Sequence, residues 1–150
     1  HRATIVAREP ASPNVLNGDP TGNGATLQVV VKGTQPSSQT FVLPPGAAWR
    51  PLGSNGFAYA DRDGVNGPVR TLTLKHRPGR PFVLKVQLRG GSAPLAIRPP
   101  DPGTEGGLRL RIEGASGYCV RFGGPAGGLV RNLGAERFDI VAPTTEAGCP

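Results

Sequence analysis

Few residues in this chain have the types and spacings from which chemistry could be built. Asp61, Asp63 and Asn66 around Gly64 resemble half of a calcium loop, because oxygen donors at that spacing can converge on a hard cation. The glycine falls too early for an EF-hand and no bidentate acid follows at the required distance. Turn chemistry is the simpler account, and any calcium binding at Asp61 and Asp63 would be weak. Asn17, Asp19 and Asn23 form a similar oxygen-rich set upstream. His1 and His76 invite a copper site, since an N-terminal histidine can ligate through its amine and ring while a second histidine completes the set. His76 lies in the basic turn Lys75-His76-Arg77, where repulsion opposes a metal. There is no Gly-x-Ser-x-Gly element, and neither histidine has an acid beside it to orient it for a hydrolase triad. The expectation is a non-enzymatic protein with no catalytic residue, no metal and no cofactor.

The basic residues make a stronger pattern. Fourteen arginines and three lysines give a net charge of +7. Arg70, Lys75, Arg77, Arg80, Lys85 and Arg89 are expected to form a stripe on one outer face, which Arg109 and Arg111 could extend. Such a stripe suits a polyanion, and an acidic glycan is the expected class. Aromatic residues are not interleaved with these cations, so single-stranded nucleic acid is not expected as a partner. No run of 18 apolar residues exists to span a membrane as a helix.

The elements that must position these residues read as strands. With 23 glycines and 17 prolines in 150 residues, helices are disfavoured by about 1 and 3 kcal/mol per interior residue respectively. Alternation is clear instead. Phe82, Leu84, Val86 and Leu88 fall on one face and Val83, Lys85, Gln87 and Arg89 on the other. Leu72 and Leu74 alternate with threonines in the preceding strand, and Arg77-Pro78-Gly79-Arg80 supplies the turn between the two. Phe57 and Tyr59 lie in a third. Further strands are predicted at 26–32, 39–43, 94–98 (PLAIR), 108–113, 118–122, 129–132 and around Phe138 and Ile140, and Trp49 is expected to pack in or beside the core. Nine to eleven short strands predict an all-β fold, an antiparallel β-sandwich of Ig-like or jelly-roll-like type, with a closed barrel as the alternative.

The expected organisation is an N-terminal strand arm over residues 1–8, a Pro/Gly-rich connector over 9–25 and a sandwich domain over 26–150. The arm, RATIVAR, has Ala3, Thr4, Ile5, Val6 and Ala7 at its centre. A strand on a tether can complete the sheet of its own subunit or of a neighbour, and the second option builds a head-to-tail homopolymer where the symmetry does not close. Assembly into an extracellular filament or surface layer is the leading functional expectation. Binding of acidic polysaccharide through the basic face is the alternative.

Cys119 and Cys149 are the two cysteines, and in an exported protein an even count reads as a disulfide. Closing that loop of about 30 residues would contribute roughly 3 to 4 kcal/mol in the chain-entropy model. His1 in place of Met suggests a mature secreted chain. Phe57, Tyr59 and Asp61, a glycine-rich turn, two alternating strands, Tyr118-Cys119 and the terminal Cys149-Pro150, with Asp19-Pro20-Thr21 upstream, together resemble β-rich modules that recur in exported, uncharacterised bacterial proteins. That resemblance spans roughly residues 17 to 150. It implies an extracellular location and a sandwich-like fold, and it brings no catalytic residues.

Overall fold

The computed structural model describes residues 2–9, 17–32, 36–91, 94–97, 105–115 and 117–123, together with the backbone of Leu129–Asn132 and Phe138–Val141. Among the described residues there are eleven strands: β1 (Arg2–Glu9), β2 (Ala25–Lys32), β3 (Ser37–Leu43), β4 (Trp49–Pro51), β5 (Gly56–Ala60), β6 (Val69–Lys75), β7 (Phe82–Arg89), β8 (Glu105–Ile112), β9 (Gly117–Gly123), β10 (Leu129–Asn132) and β11 (Phe138–Val141). They form a seven-stranded sheet in the order β10-β11-β1-β7-β6-β5-β4 and a four-stranded sheet in the order β3-β2-β8-β9. The fold is the expected all-β sandwich, antiparallel except where β1 runs parallel to β11.

Period-two alternation decides which side chains enter the core. On the larger sheet Ile5, Val86 and Leu72 share one cross-strand row, and Ala7, Leu84 and Leu74 share the next. On the smaller sheet Leu27 is flanked by Phe41 and Leu110, and Leu108 pairs with Val120. These residues belong to a single buried cluster. Each fully buried aliphatic side chain contributes about 1.5 to 3 kcal/mol of transfer free energy. Trp49 is also in the core; it packs against Tyr59 with ring centroids 5.0 Å apart, and its indole N–H donates to the Pro44 carbonyl at 3.0 Å. The ring of Phe82 stacks on Tyr118 of the opposite sheet at 4.1 Å and 6°.

The structure places two segments differently from expectation. The predicted PLAIR strand is not a strand over 94–97. Instead the Gln39 side chain clamps that segment, its Nε2 amide donating to the Pro94 carbonyl at 3.0 Å and its Oε1 accepting from the Ala96 N–H at 2.8 Å. Pro94 has no N–H to offer a ladder, so a side chain takes the place of a strand partner. Ile97 is buried nonetheless.

The second difference lies in the connector. Residues 10–16 fall outside the described residues, but Pro20–Asn23 forms one helical turn capped by Asp19. The Asp19 carboxylate accepts from both the N–H and the hydroxyl of Thr21, at 2.8 and 2.6 Å. Proline at the first helical position and aspartate before it are the residues such a start requires.

Candidate functional site

The outer face of the larger sheet is where the register gathers the charges. Arg2 pairs with Arg89, and Thr4 with Gln87, which pairs in turn with Thr71. Val6, Lys85, Thr73, Ala58 and Arg50 make the next row across five strands. Arg8, Val83 and Lys75 make the last. Arg2, Arg8, Arg50, Lys75, Lys85 and Arg89 are all exposed. Among the described residues of β1 and β4 to β7 the one carboxylate is Glu9, and it points the other way, into the core, with 3% exposure. Cations four residues apart along one strand, such as Lys85 and Arg89, lie roughly 13 Å apart, and neighbouring strands are about 4.8 Å apart. The result is a flat cationic surface studded with threonine and glutamine.

At one end of this surface the face becomes concave. Arg2, Arg62, Arg70 and Arg89 line a cavity of ≈ 340 Å³. Thr4, Thr71 and Gln87 complete its polar wall, and the Thr71 hydroxyl donates to Gln87 Oε1 at 3.2 Å. A break in the strand pattern creates this corner. Val69 pairs with Leu88 and Thr71 with Gln87, so Arg70 is an extra residue bulged out of the β6 ladder. The bulge keeps Val69 in the core alongside Leu72 and Leu74 while re-aiming Arg70 towards the loop after β5.

That loop is held rigidly by Asp61. Its carboxylate, in a residue 7% exposed, accepts from the N–H groups of Gly64 and Val65 at 3.0 Å each and of Asn66 at 2.7 Å. The Asp61 N–H donates to the Arg70 carbonyl at 2.9 Å, and the Arg89 N–H donates to the Pro68 carbonyl at 2.8 Å. Gly64 has φ +72°, and a Cβ there would run into the Arg70 guanidinium, so glycine permits the arginine to lie flat on the loop. Arg70 Nε and Nη1 are buried without a hydrogen-bond partner.

The weaker chemical candidates resolve as packing and turns. The Asp61 carboxylate that resembled a calcium ligand is occupied by three backbone amides, and Asp63 is exposed. Asp19, the other acid considered, is a helix cap, and its pKa is held below the ordinary value by the Thr21 hydroxyl and amide. His76 packs against Phe82 at 5.2 Å, and His1 lies outside the described residues. Among the described residues no group of three or more His, Cys, Asp or Glu side chains could hold a metal ion. None of the described helices is long and apolar enough to cross a membrane.

The expected polyanion stripe is divided by the structure. Arg70 and Arg89 enter the cavity, Lys75 and Lys85 stand on the flat face, and Arg77 and Arg80 occupy the exposed turn between β6 and β7. Arg109 and Arg111 do not extend it, because they lie on the outer face of the smaller sheet. Sequence pattern did not point to Arg2 or Arg62 as members of the site. A signal for the bulge was nevertheless present in Val69-Arg70-Thr71-Leu72, where two core residues are three apart rather than two.

The strand arm occupies its own subunit's sheet in this structure. β1 pairs with β7 over all eight of its residues and lies beside β11 on its other edge. Ala3, Ile5 and Ala7 are core residues, whereas Thr4 and Val6 are half-buried on the outer face. Cys119 is half-buried on β9, opposite Arg109, and the described residues contain no free cysteine; Cys149 lies outside them. Neither a protein-family model, nor a curated protein, nor a solved structure matches the chain.

Proposed function

We propose that the protein is an exported, non-enzymatic binding module that holds an acidic polysaccharide along the outer face of its larger sheet. The carrying observation is the cationic register of that face, from Arg2 and Arg89 through Lys85 and Arg50 to Arg8 and Lys75, with no carboxylate pointing outward among the described residues of those strands. A flexible linear polyanion gains from many exposed charges at strand spacing, each weak and salt-screened, and their sum is what gives retention. Threonine and glutamine between the cations can bond to sugar hydroxyls. Export fits a disulfide between Cys119 and Cys149, which the absence of a free thiol at Cys119 supports. The test is retention on a heparin-type resin. Lys75→Ala with Lys85→Ala should elute at clearly lower salt than the parent, and unchanged elution would remove the flat face from consideration.

Strand exchange is the second reading, and the topology of β1 favours it. Neither sheet neighbour of β1 is joined to it by a hairpin: β7 begins at Phe82, β11 at Phe138, and the next strand in sequence, β2, belongs to the other sheet. The same ladder can therefore be offered by the β1 of a second copy, giving a homo-oligomer or homopolymer. Removal of residues 1–8 should then abolish assembly, and a peptide of sequence RATIVARE should re-occupy the vacated groove. Filaments that persisted in the truncated protein, seen by electron microscopy, would overturn this reading.

A further inference from the structure

We propose that the cavity lined by Arg2, Arg62, Arg70 and Arg89 is a discrete subsite for one sugar residue carrying a tetrahedral oxyanion ester, a sulfate or a phosphate. The inference deepens the polysaccharide reading for the polymer, but the subsite can be tested without a polymer. Three features separate it from the flat face. It is concave, with a volume of ≈ 340 Å³, at the lower end of the range in which small-ligand pockets fall and roomy enough for a sugar ring together with its charged substituent. Its arginines come from β1, β6, β7 and the loop after β5, so positive charge borders it on several sides. One of them, Arg70, is built in: bulged out of its strand, laid on Gly64, and left with Nε and Nη1 buried and unpartnered. Arg70 is half-buried, and the positive charge it holds fixed at the cavity wall favours an anion there.

The number and arrangement of donors select the shape of the anion. A carboxylate presents two oxygens in one plane and is satisfied by one or two guanidinium forks. Four guanidiniums arriving from different strands match the three terminal oxygens of an ester sulfate or phosphate, which are distributed in three dimensions. Thr4 and Gln87 then face the sugar hydroxyls from the adjoining wall. The rigid frame contributes as well. Asp61 fixes the loop bearing Arg62 through three amide hydrogen bonds, and the Arg89–Pro68 backbone bond fixes the cavity's far wall. Little order remains to be imposed on binding.

Calorimetric titration of the whole chain with N-acetylglucosamine 6-sulfate, glucose 6-phosphate and glucuronate tests the assignment, and its first two arms distinguish the two ester sources. A saturable one-to-one isotherm is expected for at least one ester, with glucuronate at least tenfold weaker. Arg62→Ala alters an exposed loop side chain and leaves the core intact; it should weaken the ester at least tenfold while Lys85→Ala changes it less than twofold. Arg70→Met should do the same, with circular dichroism reporting whether that variant folds. Equal or tighter binding of glucuronate, or an Arg62→Ala isotherm identical to the parent's, overturns the subsite. Heparin-resin retention without any ester isotherm overturns the subsite and spares the polymer reading; an ester isotherm without retention does the reverse.

Discussion

The outer faces of the two sheets are made by the same alternation and end with different electrostatics. On the larger sheet, Arg2, Arg8, Arg50, Lys75, Lys85 and Arg89 stand with threonines and glutamine and meet no outward acid among the described residues of β1 and β4 to β7. On the smaller sheet, Lys32 is paired in register with Glu105, and Arg111, Arg109 and Arg121 share the face with Glu113, which accepts from the Thr26 hydroxyl at 3.0 Å. The inner faces show no such contrast, since both deliver aliphatic rows to one cluster. Burial dictates the inward positions of both sheets alike, whereas nothing in folding requires the outward positions of β1 and β4 to β7 to lack acids. Cations standing without an outward acid among the described residues of β1 and β4 to β7 are therefore the better guide to function than the core.

The largest effect should come from testing the likeness of the inner faces. Ile5 and Leu27 are both fully buried, one on β1 and the other on β2. Ile5→Ala and Leu27→Ala should each destabilise the fold by about 2 to 5 kcal/mol in urea unfolding. A cost under about 1 kcal/mol at Ile5 alone would mean that β1 is not a core strand of its own subunit in solution, which would favour the exchanged form.

Next in size is the contrast between the outer faces. Reversing Arg8 and Lys85 together to glutamate should lower affinity for a sulfated polymer about tenfold, equivalent to about 1.4 kcal/mol, while reversing Arg111 and Arg121 should change it less than twofold. The measurement is the binding midpoint at fixed salt, because exposed charges are screened. Equal losses from both double variants would show that net charge alone governs retention.

Much of this contrast could be read from sequence because period two is a strong signal. The faces of β2, β7, β8 and β9 follow directly from their alternation, and Trp49, expected in or beside the core, lies in it. What could not be read was pairing between strands distant in sequence. Arg2 joins Arg89 only because β1 lies against β7, a contact no local pattern encodes. Arg62 enters the cavity because Asp61 curls its loop back by capping three amides, so an acid resembling a metal ligand proved to be the loop's fastener. The PLAIR segment failed for a related reason: its apolar alternation matches a strand, but its partner is the Gln39 side chain.

The seam between the sheets makes a smaller, pH-dependent prediction. Burial, together with the charge of Glu9, pushes the Tyr118 hydroxyl well above its ordinary value. A folded-state pKa above the unfolded value of about 10 means that the contribution of the neutral phenol is complete below pH 10 and is lost as pH rises beyond it. Stability should fall by about 1 kcal/mol between pH 10 and 11 from this group, and Tyr118→Phe should flatten that slope in urea titrations at the two pH values. A slope unchanged by the substitution would place the phenol in contact with water.

The smallest effect separates the two causes that could make the outer faces behave differently. Glu113 and Glu105 are surface groups, and Glu113 holds the Thr26 hydroxyl through a solvent-exposed bond whose loss should cost about 0.5 kcal/mol or less. Replacing both with glutamine preserves the shape and most of the hydrogen bonding of that face while removing its carboxylates. If the concave arginine corner and the cationic rows of the larger sheet govern binding, polymer affinity should rise by less than twofold in this variant. A several-fold rise would mean that the smaller sheet binds as well once its acids are gone. Geometry would then be secondary, and the difference between the faces would reduce to where the carboxylates happen to stand.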